Sequence, residues 1–196
     1  MSNEKIDSRW AQYNAELDKV DISNIREAIR TGYITRTVSG EGNTAVDEIR
    51  TLTKRWKLED VSVIEIGAGY GAYCEEFHNT VKVKDYTIID TPSMLRFSKA
   101  YLTDKGINCT FLNTEEPLPE RNWDLLVANV CISEIPDEHA KEMLSYLFKR
   151  VNKVAIMDCE LPWLTDMIRD NFDTCAKVSC PECLQNNHYL YTGEKL

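Results

Sequence analysis

At 196 residues, with 43% apolar and 28% charged side chains, the chain suits one domain with a real core and is short for two. A net charge of -9, with no cluster of Lys and Arg, disfavours nucleic acid as a partner and suits a neutral or cationic small molecule. No apolar run approaches the ~18 residues of a membrane span, and MSNEKIDSRW lacks a signal-peptide core, so a cytoplasmic protein without membrane contact is expected.

Residues 1 to about 58 read as helical. Trp10, Tyr13 and Leu17 share one helical face, and Ile22, Ile25 and Ile29 share another. Thr31-Gly32-Tyr33 breaks that pattern, residues 39–43 form a loop, and Val46, Ile49, Leu52 and Trp56 then line a third helix over 44–56.

From residue 59 the pattern alternates. Val61 to Ile66 is a β-branched run stopped by glycines, which predicts a buried strand. A brief helix over 71–78 follows, then a strand from Tyr86 to Asp90. The next helix is predicted from Pro92 to about Asp104, with Gly106 as its stop. A third strand is expected over 107–112 and a fourth over 123–130.

Pro136 opens a helix in which Ala140, Met143, Leu144, Leu147, Phe148 and Val151 follow helical spacing. A fifth strand over 154–157, a short helix over 163–171, and strands near 174–179 and 188–192 complete the chain. This order predicts an α/β fold with a mostly parallel sheet and helices on both faces. The last two strands have no helix between them and are expected to pair antiparallel. The division is thus an N-terminal helical segment, 1–58, and a sheet domain, 59–196.

The seven cysteines are an odd count, for which reduced thiols are the default. Cys175, Cys180, Cys183 and His188 have a spacing that zinc can use, but only one C-x2-C pair is present. Ordinary thiols are the preferred reading, and no metal is expected.

The chemistry concentrates at Glu65-Ile66-Gly67-Ala68-Gly69-Tyr70-Gly71. Glycines between a strand and a helix let the backbone turn sharply and approach a ligand. They fit a dinucleotide as well, because the stretch satisfies G-x-G-x-x-[GA] through Ala72. Glu65 separates the readings: a carboxylate there repels a pyrophosphate and welcomes a cationic cofactor such as S-adenosylmethionine. Asp90, ending the second strand, is placed to accept the protons of ribose hydroxyls, with helix-end stabilisation as its alternative role.

VIEIGAGYG, the strand-end acid of YTIID, the strand WDLLVANV and the terminal pair of strands together resemble a class I S-adenosylmethionine-dependent methyltransferase over about residues 59–196. Within that class, IEIGAGYGAYCEEF, YTIIDTPSMLRFSKAYL and LVANVCISEI look most like the sugar O-methyltransferases. The resemblance implies a seven-stranded sheet in the order 3-2-1-4-5-7-6 with strand 7 antiparallel. It implies Glu65, Gly67, Ala68, Gly69 and Gly71 around the methionine part of the cofactor, Asp90 on the ribose, and Thr91 and Met94 near the adenine. Asn113 and Thr114 would lie by the adenine amino group, a departure from the acid many relatives carry there. Asn129 and Val130 would flank the cofactor and face the substrate.

Methyl transfer to an alcohol needs alignment and a base. That base is expected just past the fourth strand, where Glu134 is the first choice and His139 the second. Helix capping is the competing role for Glu134, and solvent exposure in a first helical turn argues against His139. Tyr33, Arg36 and Thr37 are candidate lid contacts, with Arg36 placed to pair with the cofactor carboxylate.

The expected activity is methyl transfer to a small polar hydroxyl acceptor, leaving S-adenosylhomocysteine. N-methylation of a small metabolite and a non-catalytic sensor or partner subunit remain open. Base methylation of DNA is disfavoured: Asn129-Val130-Cys131-Ile132 replaces Asn-Pro-Pro-Tyr, and no Pro precedes a Cys.

Overall fold

The computed structural model describes residues 15, 18, 19, 22, 44–129, 131–179 and 188–196. In chain order the elements are helix α1 (Thr44–Trp56), strand β1 (Val61–Ile66), helix α2 (Ala72–Thr80), strand β2 (Val83–Asp90), helix α3 (Pro92–Asp104) and strand β3 (Thr110–Asn113). Strand β4 (Trp123–Asn129), a 3-10 turn (Ile132–Glu134), helix α4 (Asp137–Phe148), strand β5 (Val151–Cys159) and helix α5 (Pro162–Asn171) follow. Strands β6 (Thr174–Ser179) and β7 (His188–Glu194) close the chain.

The strands form one seven-stranded sheet in the order β3-β2-β1-β4-β5-β7-β6. All neighbours are parallel except β7, which runs antiparallel to both β5 and β6. The order and the single reversed strand are those expected from the sequence.

The central strands carry apolar residues on both faces because both faces are covered. On one side Ile64, Ile66, Leu126, Ala128, Val154 and Ile156 pack with Ala140, Leu144 and Leu147 of α4 and Leu164 and Ile168 of α5. On the other, Val63, Tyr86, Ile88, Leu125 and Val127 pack with Ile49 and Leu52 of α1, Tyr73 and Phe77 of α2, and Leu102 of α3. Helix α1 therefore shares its core with the sheet. Each such aliphatic side chain contributes about 1.5–3 kcal/mol by burial.

A polar clamp fixes the register at the start of the central pair. Asp124 Oδ2 accepts from both the backbone N–H and the hydroxyl of Ser62, each at 2.8 Å, and Ser62 Oγ accepts the Asp124 N–H at 3.0 Å. This clamp lies at the end opposite the glycine loop.

Some boundaries differ from the sequence reading. The third strand starts at Thr110, not Ile107, because the Ile107 N–H closes α3 by donating to Leu102 O at 2.9 Å, after Gly106 turns at φ 71°. Val151 opens β5 and pairs with Trp123, so it does not continue the helix that ends at Phe148. The fifth strand extends to Cys159 and thereby includes Asp158.

Candidate functional site

Between β1 and β4 the chain's course across the sheet reverses: β2 and β3 lie on one side of β1, and β4 and β5 on the other. The carboxyl ends of the strands flanking such a point leave a crevice. Four sequence-predicted features converge there: the loop after β1, Asp90 ending β2, Asn113 ending β3 and Asn129 ending β4.

The loop requires its glycines. Gly67, Gly69 and Gly71 have φ of 70°, 57° and 98°, a region that side chains with a Cβ rarely adopt. Space is a second constraint at Gly67, where a Cβ would stand 2.5 Å from Cys131 Cβ. The Gly67 N–H donates to Ile89 O at 2.9 Å and the Gly71 N–H to Ala68 O at 2.9 Å, which seats the loop on the end of β2 and folds it into a turn.

Asp90 holds the same loop from the side. Its Oδ2 accepts the Gly69 N–H at 3.1 Å and its Oδ1 accepts the Thr91 N–H at 2.8 Å. Burial pushes its carboxyl up to about 7 against the help of those two donors, and the charge of Glu134 pushes the same way. Glu134 thus acts electrostatically on the strand-end acid from across the crevice.

Glu65 is buried at the end of β1, beneath the loop. It accepts a hydrogen bond from the Tyr86 hydroxyl at 3.0 Å. Burial raises its pKa to about 8; Tyr86 opposes this, while Asp90, Cys109 and Glu48 add to it. Glu48 of α1 is also buried and also raised to about 8, mainly by desolvation. Carboxyls gathered in this way under a glycine loop hold protons near neutrality, and a cation placed beside them favours their ionised forms.

Around the crevice, Thr91 caps α3 by accepting the Met94 N–H at 3.4 Å. Met94 is buried against Tyr70 of the glycine loop and Phe97. Asn113 spends its Oδ1 on the Glu115 N–H at 2.9 Å, and the Thr114 N–H donates to Asp90 O at 3.1 Å. Asn129 and Ala68 are buried.

Glu134 ends the 3-10 turn after β4 and is exposed. His139 is exposed in the first turn of α4. Val130 and Arg36 lie outside the described residues, as do Tyr33, Thr37, Cys180 and Cys183. Among the described residues no group of three or more His, Cys, Asp or Glu could hold a metal ion.

Contacts the sequence did not reveal complete the site. Asp158, fully buried near the end of β5, accepts the Ser133 N–H at 3.1 Å and the Cys159 N–H at 2.7 Å, and so holds the turn that carries Glu134. An acid closing an apolar strand is the signal that marked Asp90, and the shorter fifth strand read from sequence concealed it here. From the N-terminal segment, Asp18 accepts from Ser93 at 2.9 Å and pairs with Arg96 at 3.3 Å, and Ile22 packs on the Tyr70–Met94–Phe97 cluster.

No family model and no curated protein matches the chain. Solved structures do match in fold. DhpI, solved in complex with S-adenosylhomocysteine, is 15% identical with a TM-score of 0.62, covering 100% of this chain and 98% of its own. An O-methyltransferase family protein from Burkholderia thailandensis is 16% identical with a TM-score of 0.60, over 76% of this chain. The T. thermophilus 16S rRNA methyltransferase RsmC, solved with AdoMet and guanosine, is 14% identical with a TM-score of 0.61, over 81% of this chain. This chain spans 55% and 44% of the lengths of those last two proteins. The shared feature is the fold.

Proposed function

We propose that the protein is an S-adenosylmethionine-dependent methyltransferase acting on a small polar acceptor, with Glu134 as general base. The observation that carries the cofactor assignment is Glu65, buried beneath three left-handed glycines. A pyrophosphate at that loop would oppose ionisation of Glu65, whereas an ammonium and a sulfonium draw its carboxyl into the ionised form and are then held by it. The residues present fit the cofactor: Gly67, Gly69 and Gly71 present backbone without side chains at the crevice, and Asp90 keeps lone pairs on both oxygens for ribose hydroxyls.

Glu65, Gly67, Ala68, Gly69 and Gly71 would surround the methionine part, and Asp90 the ribose. Thr91, Met94, Asn113 and Thr114 would border the adenine, with Asn129 and Val130 between cofactor and acceptor. Arg36 would pair with the cofactor carboxylate, and the N-terminal segment would cover the substrate side. The contacts of Asp18 and Ile22 with α3 support that cover.

When bound, the cofactor supplies a methyl group on a cationic sulfur, open to in-line displacement. Glu134 takes the acceptor hydroxyl proton on its carboxylate as the methyl is received. Asp158 fixes the turn from which Glu134 acts, and the loop glycines fix the cofactor's approach. A sugar-like hydroxyl acceptor is the specific form of the proposal, supported by the resemblance in the three stretches quoted above.

Calorimetry of the purified protein with S-adenosylmethionine, S-adenosylhomocysteine and NAD tests the assignment. Binding of the first two is expected, and binding of NAD alone would overturn it. Tight cofactor binding without methyl consumption across a panel of hydroxyl and amine acceptors would favour a sensor in place of an enzyme.

A further inference from the structure

We propose that Cys74 and Cys109 are a redox-active dithiol pair, whose disulfide joins the helix after the glycine loop to the start of strand β3. Cys74 lies early in α2 and is fully buried; Cys109 is half-buried, immediately before β3. Their sulfurs are 3.3 Å apart, although the residues are 35 positions apart in sequence. The tertiary fold therefore places them together, and a modest closing movement is enough to make a bond of about 2.05 Å.

The surroundings assign the two sulfurs different parts. Its contact with Cys109, burial and the charges of Glu65 and Glu75 push the Cys74 thiol up, whereas Cys109 is the less buried of the two. Cys109 is the more exposed and the first to ionise, so it is the attacking thiolate. Cys74 waits beside it as the resolving thiol. His78, one turn further along α2, donates from Nδ1 to Cys74 O at 2.9 Å and so packs its ring beside the pair, with the same nitrogen 3.6 Å from the Cys74 sulfur.

With a peroxide as oxidant the steps balance. The Cys109 thiolate attacks one oxygen of hydrogen peroxide, the O–O bond breaks, and hydroxide leaves to become water, giving a sulfenic acid. Cys74 sulfur then attacks Cys109 sulfur, the S–O bond breaks, and hydroxide leaves with the Cys74 proton as a second water. Two electrons pass from the sulfurs to the peroxide.

The other described cysteines lack this geometry. Cys131 is buried and its thiol donates to Ile66 O at 3.1 Å, while Cys175 is exposed, with its sulfur near Thr165 O.

The test is treatment of the full chain with hydrogen peroxide, alkylation of remaining thiols in acid denaturant, digestion and mass spectrometry. The expected result is a Cys74–Cys109 linked peptide pair that reverts with dithiothreitol. In Cys109→Ser, Cys74 should be recovered as an alkylated thiol. In Cys74→Ser, Cys109 should proceed to sulfinic and sulfonic acid. Should Cys74→Ser fail to fold, the wild-type and Cys109→Ser digests decide alone. Recovery of Cys109 as sulfinic or sulfonic acid in the wild type, with Cys74 still alkylatable, would overturn the proposal.

Discussion

Asp90 Oδ2 accepts the Gly69 N–H at 3.1 Å, so the acid that ends the second strand also holds the glycine loop that ends the first. Loop shape and the proposed ribose contact therefore depend on one carboxylate. Asp90→Ala removes the acceptor for two backbone donors, and a lost bond to a charged group costs about 1.5–3 kcal/mol. The expected result is a fall in S-adenosylmethionine affinity of about 10- to 100-fold. Asp90→Asn keeps the size but offers only one acceptor oxygen to two N–H groups, so it should recover only part of the affinity. Calorimetric titration of both variants measures this.

Cofactor binding should release protons. The carboxyls of Glu65 and Glu48 are raised to about 8 and that of Asp90 to about 7, so at neutral pH they are partly protonated in the free protein. A cation near Glu65 favours its ionised form. Titration with S-adenosylmethionine at pH 7 in buffers of different ionisation enthalpy should show release of about one proton, mostly abolished in Glu65→Gln. The same shifts fix the sign for stability. Because the folded state binds these protons more tightly than the unfolded chain, they stabilise the free protein at low pH. That contribution is lost as pH rises from the ordinary carboxyl range through about 8. Thermal melts of Glu65→Gln should therefore show a shallower decline across that window. A slope equal to that of the wild type would remove Glu65 from the account.

Gly67→Ala should be harmful for two separable reasons. The position has φ 70°, and the new Cβ would stand 2.5 Å from Cys131 Cβ and 2.7 Å from its sulfur. Overpacking of this kind costs typically about 1–3 kcal/mol, and the backbone conformation adds to it. Cys131→Gly in the same chain removes the collision and leaves the backbone strain. Denaturant melts of the two single variants and the double variant should thus show partial recovery, with the remainder assigned to φ.

Much of this arrangement is legible in the sequence. The run Val61–Ile66 reads as a strand because its residues are β-branched on both faces, and glycines end it where the chain must turn. Helix α3 is bounded by Pro92 and Gly106, whose backbone limits are local properties. What was not legible depends on contacts far apart in the chain. Tyr86 is the partner of Glu65 only because β1 and β2 pair in parallel, which sets Tyr86 beside Val63 and its hydroxyl within reach of Glu65. Asn113 reads as free to face a ligand, yet its side-chain oxygen is committed to the turn that follows β3. Cys74 and Cys109 carry no shared motif, and only the folded chain brings them together.

The base assignment is tested by separating chemistry from position. Glu134 ends a 3-10 turn whose Ser133 N–H is held by Asp158 at 3.1 Å. If Glu134 removes the acceptor proton, Glu134→Gln should lower kcat by about 10²- to 10⁴-fold while cofactor affinity changes little. It should also lower the pKa of Asp90, because the Glu134 charge is one of the forces raising it. Asp158→Asn keeps the side-chain shape but places an amide where two backbone N–H groups now meet a carboxylate. A positioning role for Asp158 predicts a smaller loss of kcat with an unaltered pH profile, since the proposed base, Glu134, is still present. A loss of the basic or acidic limb of that profile in Asp158→Asn would instead make Asp158 the group that exchanges the proton. His139, exposed in the first turn of α4, should tolerate His139→Ala without a change in either limb. A collapse of activity in that variant would transfer the assignment from Glu134 to His139.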